Sequence, residues 1–404
     1  MEEILRVEGL TKLFPSGFST CGPKEALQHL RNGVSREALK ERYHYLAAVD
    51  DVSFSVRQGE CLVLIGLSGS GKSTLLRCLN RLQEPTAGSV FFKGEEVTAY
   101  NQAELRQFRQ RGAAMVFQNF GLMDHRSVLD NVCYGLEIQG LAKKERYEQG
   151  LAMLKLVGLE GWEREAVTSL SGGMKQRVGL ARALACSPDL LLMDEAFSAL
   201  DPLVRNDLQF ELLSIQERMK KTIIFITHDM DEAFKLGNRV GILREGRLVQ
   251  LASPEEMFAR PADDYVRKFI NNVDPSKVIS IASVMEKPAA LVRSAEGAHI
   301  ALNSMRVNGV SSAYVVDEGM HLVGLVTLDG VLKTLNGRQS FADGLIREVP
   351  TTKSPENPVR SIMQLAVQAK FPIAVTDEKQ HLLGIVTKAA VLASLCSESR
   401  NEGA

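Results

Sequence analysis

Eight consecutive residues, Gly66-Leu67-Ser68-Gly69-Ser70-Gly71-Lys72-Ser73, match the spacing G-x-x-x-x-G-K-[ST] without exception. Glycines at these positions let the backbone curl so that its N–H groups point inward, a cradle suited to a polyphosphate. A helix opening at Gly71 adds the positive end of its dipole. Lys72 then reaches the β- and γ-phosphates, the Ser73 hydroxyl ligates Mg2+, and Thr74 carries the cradle into the helix. A second group of residues fit for chemistry closes the apolar run Leu190-Leu191-Leu192-Met193, namely Asp194 and Glu195. Carboxylates at the C-terminal edge of a parallel strand lie in the ligand crevice of such sheets. Asp194 is placed to hold Mg2+ through water, and Glu195 to orient and polarise an attacking water. Phosphoryl transfer needs mainly positioning and charge neutralisation, so two acids with separate tasks suffice.

Both groups need rigid elements beneath them. The continuous apolar run Cys61-Leu62-Val63-Leu64-Ile65 reads as a buried strand feeding the glycine-rich loop, and Leu190–Met193 as another. Such runs belong to parallel sheets covered on both faces, and strand–loop–helix units recur to about Ile270, so the expected fold is an α/β domain. Upstream, Leu5–Leu13 and Val52–Val56 read as strands. Between them an insertion at about residues 20–48 is helical from about Pro23 to Leu46, with Leu27, Leu30, Val34, Ala38 and Leu39 near helical spacing and Ser35 as an N-cap for its second half. The pattern breaks at Asn271-Asn272-Val273-Asp274-Pro275. Beyond it, residues 313–332 align without gaps on 373–392, with ten of the twenty positions identical, among them Asp317/Asp377, His321/His381, Gly324/Gly384 and Thr327/Thr387. Each copy reads helix, strand, turn, strand, helix, and one copy alone buries too little to stand without the other. The expected division is a domain at 1–270, a linker at 271–277, repeats at 278–337 and 338–397, and a tail at 398–404.

Composition narrows the class. Lys and Arg number 48 against 49 Asp and Glu among 404 residues, a balance that argues against a protein that coats nucleic acid. Hydrophobic residues make up 45%, ordinary for a globular chain and too many for a disordered one. The six cysteines form no CxxC pair and read as free thiols of a reducing compartment. The N-terminus carries no basic-then-apolar secretion signal, and no run reaches the roughly 18 apolar residues of a membrane span.

One further motif sorts this chain among phosphate-loop proteins: Leu170-Ser171-Gly172-Gly173-Met174-Lys175-Gln176-Arg177, whose Ser-Gly-Gly offers another helix N-terminus with free amides and a hydroxyl. Gln118 stands before it, and Ser198-Ala199-Leu200-Asp201 and His228 follow Glu195 in order. With these elements residues 1–270 resemble the ATP-binding subunits of ABC transporters. The resemblance implies a head-to-tail dimer sandwiching two ATP, in which Ser171, Gly172 and Gly173 bind the γ-phosphate held by the opposite subunit and Asp201 works across the interface. It gives Gln118 the sensing of Mg2+ and γ-phosphate and the link to a membrane partner, and His228 a γ-phosphate contact beside Glu195. It also implies an aromatic stacked on adenine; Phe14 matches that position best, with Tyr45 and Phe18 as alternatives.

The wordings Ser73-Thr74-Leu75-Leu76-Arg77-Cys78-Leu79-Asn80-Arg81-Leu82 and Met193–Arg205, the insertion and the C-terminal duplication are similar to the ATPase subunit of proline/glycine betaine importers, over nearly the whole chain. That implies a compatible-solute cargo carried by a partner permease, with a periplasmic or lipid-anchored solute-binding protein upstream and this chain peripheral on the cytoplasmic face of the inner membrane. Phe120, Leu122 and Met123 would be docking surface for the permease or part of the core. The repeats resemble a pair of CBS domains, which often hold adenosine-type ligands. Here only the first copy has the full pattern, Gly324, Thr327 and Asp329, while Lys388-Ala389 follows Thr387 in the second. An ATP-switched ligand sensor and a soluble ABC ATPase without a transport partner are the alternatives.

Overall fold

The computed structural model describes residues 2–19, 21–198, 200–271 and 274–395; Ala199 of the loop before Asp201, the linker positions Asn272 and Val273, Cys396 and the tail 398–404 lie outside them. The chain divides into two compact units, Met1–Ile270 and Asn271–Ala404.

In the first unit, strand β1 (Glu3–Pro15) leads through two short helices, α1 (Pro23–Arg31) and α2 (Arg36–Tyr43), and back along β2 (Tyr45–Arg57). Leu5 and Val7 point inward and Arg6 and Glu8 outward, the period of two that a strand with one buried face requires. The insertion is helical as expected, in two helices, the second of which starts at the expected cap Ser35. Gly33, at φ +87°, separates the two, and the Ser35 hydroxyl starts the second helix by accepting from the Ala38 N–H. Tyr45 and Leu46 already belong to β2. Ala26, Leu30 and Leu39 of the two helices share a small core with Leu13, Tyr45 and Ala47.

Strand β3 (Cys61–Ile65) runs into α3 (Lys72–Leu79); β4 (Ala87–Phe92), β5 (Glu95–Glu96), α4 (Gln102–Gln107) and β6 (Ala113–Val116) follow. Three helices, α5 (Val128–Ile138), α6 (Lys143–Leu156) and α7 (Gly172–Ala185), then pack on one another. The remainder alternates: β7 (Leu190–Asp194), α8 (Pro202–Met219), β8 (Thr222–Thr227), α9 (Met230–Leu236), β9 (Arg239–Arg244) and β10 (Arg247–Ala252), closing with α10 (Pro254–Ala259) and α11 (Asp264–Ile270).

Two sheets result. One is antiparallel in the order β2-β1-β4-β5; the other runs β10-β9-β3-β8-β7-β6, parallel except for β10. Every residue of β3, β7 and β8 is buried, as strands covered on both faces must be. Leu75, Leu76 and Leu79 of α3 fill the space between the sheets, against Leu5, Val7 and Val56 on one side and Leu62, Leu64, Leu192 and Ile224 on the other. Each such leucine stabilises the fold by about 1.5–3 kcal/mol through removal from water, so the helix that opens at the glycine-rich loop is firmly held.

The second unit contains α12 (Ile281–Val284), β11 (Leu291–Arg293), α13 (Gly297–Asn308), β12 (Ser312–Val316), β13 (Leu322–Thr327), α14 (Leu328–Leu335), β14 (Leu345–Ile346), β15 (Thr351–Thr352), α15 (Met363–Gln368), β16 (Ile373–Thr376), β17 (Leu382–Val386) and α16 (Lys388–Leu395). Its sheets are β11-β12-β13-β14 and β15-β16-β17. Each repeat shows the helix, two strands and helix expected, plus a short leading strand parallel to the first of the pair. The cores do not divide at 337/338. Ile281 packs with Val359, Ile362, Ile373 and Val386 of the second copy, whereas Phe341 and Leu345 complete the first. Repeat identity marks equivalent strands, but burial decides which flanking segment covers which copy. The two copies meet through Tyr314, Val316 and Leu325 against Ala374, Leu382 and Ile385.

Candidate active site

The register of the parallel sheet levels the strand ends. Ile65 lies beside Thr227, Ile226 beside Asp194, and Met193 beside Val116. The loops that leave β3, β8, β7 and β6 therefore meet along one edge, and they carry the glycine-rich segment, His228, Glu195 and Gln118 in turn.

Steric demand explains two of the loop's glycines. A Cβ on Gly66 would stand 2.3 Å from the Leu243 carbonyl oxygen, and one on Gly71, at φ +98°, 2.1 Å from that of Ala48. No other residue fits either place. Gly69, at φ +79°, and Ser68 form the exposed rim. The Ser70 carbonyl accepts from the Gly246 N–H at 3.0 Å, while its buried hydroxyl has no partner among the described residues. Lys72 is 4% exposed and folds back on the loop, its ammonium donating to the Gly66 and Leu67 carbonyls at 2.8 and 3.1 Å. Burial pushes that ammonium below the usual lysine range; Glu195 and Asp194 pull the other way. Thr74 is in the first turn of α3, partly buried.

The Ser73 hydroxyl donates to Asp194 Oδ1 at 2.9 Å, and the Arg77 guanidinium donates to Oδ2 at 3.1 Å. Glu195 sits one residue past the strand at φ +45°, a conformation that costs a non-glycine residue energy and turns its side chain out of the sheet line. Its Oε2 lies 3.1 Å from His228 Nδ1 and 3.5 Å from Gln118 Nε2. Gln118 also approaches the Ser198 hydroxyl, at 3.4 Å, which in turn donates to the Glu195 carbonyl at 2.9 Å. Lys72, Ser73, Asp194, Glu195, Gln118 and His228, drawn from four loops, thus form one cluster. A hydroxyl beside a carboxylate is a hard-oxygen donor pair of the kind Mg2+ takes, and with the steric cradle above it the site suits a magnesium-bound triphosphate.

Ser171, Gly172, Gly173 and Asp201 stand apart from this cluster. Ser171 caps α7 by accepting from the Met174 N–H, and Asp201 caps α8 by accepting from that of Val204. Among the described residues none of the four hydrogen-bonds to the cradle. Gly173 is required where α7 meets α8, since a Cβ there would lie 2.5 Å from Val204 Cγ1. The segment after Gln118 is half-buried and held by its backbone. Arg182 of α7 donates to the Phe120 and Gly121 carbonyls, and Asn131 takes the Met123 N–H.

Of the aromatic candidates, Phe14 is half-buried opposite Leu46, with the Lys12 ammonium 4.9 Å from its ring. Phe18 is fully exposed, and Tyr45 is buried in the insertion's core with its hydroxyl donating to the Cys21 carbonyl. Leu46 lines an open cleft of about 540 Å3 with Leu67–Ser70, Arg36 and Lys40 of α2, and Tyr265 of α11, whose ring lies under Arg244 at 4.4 Å. Arg36, Lys40, Tyr265 and Arg77 escape sequence reasoning because nothing in their local spacing links them to the loop. The i,i+4 spacing of Arg36 and Lys40 marked one helix face without saying what it meets. In the second unit, Thr327 and Thr387 accept from the Gly330 and Ala390 N–H groups, and Asp329 pairs with Lys333 at 2.6 Å.

A parallel sheet edge carrying a phosphate cradle, a hydroxyl–carboxylate pair and a glutamate held by histidine and glutamine defines an ATP-hydrolysing nucleotide-binding domain. Residues 49–198 match the family model described as ABC transporter, and 281–337 that described as CBS domain. The glycine betaine transport ATP-binding protein OpuAA of Bacillus subtilis is 45% identical, the match covering 98% of this chain and 93% of that protein. The glycine betaine/carnitine transport ATP-binding protein GbuA of Listeria monocytogenes is 47% identical over 99% of each, and ProV of Escherichia coli, of a glycine betaine/proline betaine transport system, 41% over 99% of each. A dimeric post-hydrolysis ATP-binding cassette, MJ0796 bound to ADP and Pi, superposes with a TM-score of 0.53 at 28% identity, covering 62% of this chain and 98% of that one. The chain belongs to the ABC transporter family, among its glycine betaine transport ATP-binding proteins. It is a transport ATPase, and among the described residues no helix is long and apolar enough to cross a membrane.

Proposed function

We propose that two copies of this chain bind and hydrolyse two ATP between them and so drive uptake of glycine betaine or a related quaternary amine through a partner permease at the cytoplasmic face of the membrane. The observation that carries the chemistry is the placing of Glu195 Oε2 within 3.1 Å of His228 Nδ1, across from the Ser73–Asp194 pair. Backbone amides of Gly69–Thr74 and the Lys72 ammonium hold the phosphates, the ammonium exchanging loop carbonyls for phosphate oxygens. Ser73, Gln118 and, through water, Asp194 would hold Mg2+, which supplies charge neutralisation on the phosphates. Glu195 accepts a hydrogen bond from the attacking water and takes its proton as the new bond to the γ-phosphorus forms and the bond from that phosphorus to the β,γ-bridging oxygen breaks, leaving ADP and phosphate. His228 holds the carboxylate in place and contacts the γ-phosphate.

Exposed N-termini that leave their own cradle alone favour the dimer: Ser171–Gly173 and Asp201 are free to serve the nucleotide of a second copy. Phe14 and the cleft of Arg36, Lys40 and Tyr265 are assigned to the adenosine end. Phe120, Leu122 and Met123 are assigned to the permease, and a solute-binding protein acts only through it. Cargo follows from the relatives' names. The second unit is assigned to regulation; an adenine nucleotide there falls to the first copy, which alone has Asp329, once Lys333 releases it. Uptake of radiolabelled glycine betaine into cells lacking other importers tests the reading. Accumulation should be lost with Lys72→Ala; parental uptake in that variant would sink the transport role.

A further inference from the structure

Helix α8 starts at the Asp201 cap and carries Arg205 in its first turn, half-buried. The guanidinium spans two loops. One terminal nitrogen donates to the Leu200 carbonyl at 3.1 Å, next to Asp201, and the other donates to Asp229 Oδ2 at 3.2 Å, next to His228. Nε lies 3.9 Å from Glu232 Oε1. Asp229 is itself fixed: its N–H donates to the Thr227 hydroxyl at 3.0 Å, and its Oδ1 caps α9 by accepting from the Glu232 N–H at 3.2 Å. Buried Glu232 accepts from the Thr227 hydroxyl at 2.6 Å and from the Gln209 amide at 3.0 Å. Gln209 is one turn beyond Arg205, so α8 holds the β8–α9 loop through Asp229 and the first turn of α9 through Glu232.

We propose that Arg205 is a positioning residue that couples the Leu200–Asp201 loop to His228. Its planar fork reaches both loops at once, which a single ammonium does not reproduce. The coupling rests on the dimer proposed above. There the Asp201 loop faces the nucleotide held by the other copy, and a shift of Leu200 when that nucleotide binds or is cleaved moves Asp229, and with it the imidazole 3.1 Å from Glu195. Each site thus senses the other through one side chain. The connection needs a bistable loop, not a long pathway, because Leu200 and Asp229 are bridged directly.

ATP hydrolysis against ATP concentration, measured on the full-length chain with its permease, tests this. In Arg205→Ala we expect kcat to fall about tenfold to a hundredfold, the scale of a small misplacement in a catalytic cluster. KM for ATP should stay within about twofold, since the phosphate cradle is untouched. The dependence on ATP should lose its sigmoid character, and Arg205→Lys should recover less than half of kcat. A purely structural role would instead lower the melting temperature and leave the residual activity cooperative. Gln209→Ala, which loosens only the hold on Glu232, should keep cooperativity, and serves if Arg205→Ala fails to fold: non-cooperative Gln209→Ala would sink the assignment to Arg205. A parent chain without ATP hydrolysis would overturn the functional reading and this inference with it. A hydrolysing parent matched by Arg205→Ala in kcat and cooperativity would overturn the inference alone.

Discussion

The Ser73 hydroxyl stands 2.9 Å from Asp194, although the two lie 121 positions apart in the chain. The parallel order of β3, β8 and β7 makes this meeting unavoidable, since it carries the end of β7 to the foot of the loop that β3 feeds. Asp194 is 2% exposed, and its other oxygen faces Arg77. A buried carboxylate that keeps one cation at hand is poised to exchange it for another.

Glu195→Gln should leave ATP binding intact and lower hydrolysis by about a hundredfold to ten-thousandfold, the usual share of a general base. It should also trap an ATP-bound dimer. Phosphate release and size-exclusion chromatography read both; hydrolysis at the parental rate would remove Glu195 from its role.

Arg77 donates to Asp194 Oδ2 at 3.1 Å, and on the proposed role of Asp194 it would compete there with Mg2+ and its water. Because its side chain is 43% exposed, the pair is well screened. Arg77→Ala should lower the Mg2+ concentration for half-maximal hydrolysis by about two- to fivefold, the range of an exposed ion pair of up to about 1 kcal/mol. A rise in that concentration would show instead that Arg77 orients the carboxylate for the metal.

Gly71→Ala combines a left-handed backbone, about 1–2 kcal/mol for an L-residue, with a Cβ placed 2.1 Å from a backbone oxygen that cannot turn away. Loss of ATP affinity should exceed the loss of stability, because the loop yields before β2 does. Calorimetry with ATP beside thermal unfolding checks the order; full affinity in a folded variant would contradict it.

In the second unit the imidazoles of His321 and His381 stack with centroids 4.4 Å apart, each facing the carboxylate of its own copy, Asp317 at 2.9 Å and Asp377 at 2.7 Å. The backbone N–H and ring of His321 hold Asp317 below the usual carboxylate range, and the His381 ring does the same for Asp377. A lowered folded-state value means the stabilisation is complete above the unfolded aspartate value, ~3.9, and is lost as pH falls through the lowered values. Thermal unfolding of the full chain should therefore weaken below about pH 4, and Asp317→Asn with Asp377→Asn should flatten that acid limb. An unchanged limb would assign the acid sensitivity elsewhere.

The cradle was legible because its chemistry is contiguous: glycines at fixed intervals, a lysine and a serine allow few backbone paths. Asp194 and Glu195 were legible for a related reason, since a fully apolar run that ends in acids marks a buried strand and its edge. The duplication showed itself through identity at a constant offset. The insertion was legible as helical, with a second start at Ser35; its end was not, since Tyr45 and Leu46 join β2 instead of the helix.

Other features belong to the tertiary structure alone. Burial sorts the aromatic candidates: it withdraws Tyr45 into the insertion's core, leaves Phe14 half-buried on the face it shares with Leu46, and leaves Phe18 exposed. Arg77, Arg205 and Tyr265 acquire meaning only when sheet order and helix packing bring distant segments within hydrogen-bonding or stacking reach. In the repeats, identity located equivalent strands, yet Ile281 went to the second copy's core because an apolar side chain goes where it leaves water, irrespective of the copy it precedes in sequence. Residue type and spacing determine what chemistry a segment can perform; only the packed sheet decides which segments perform it together.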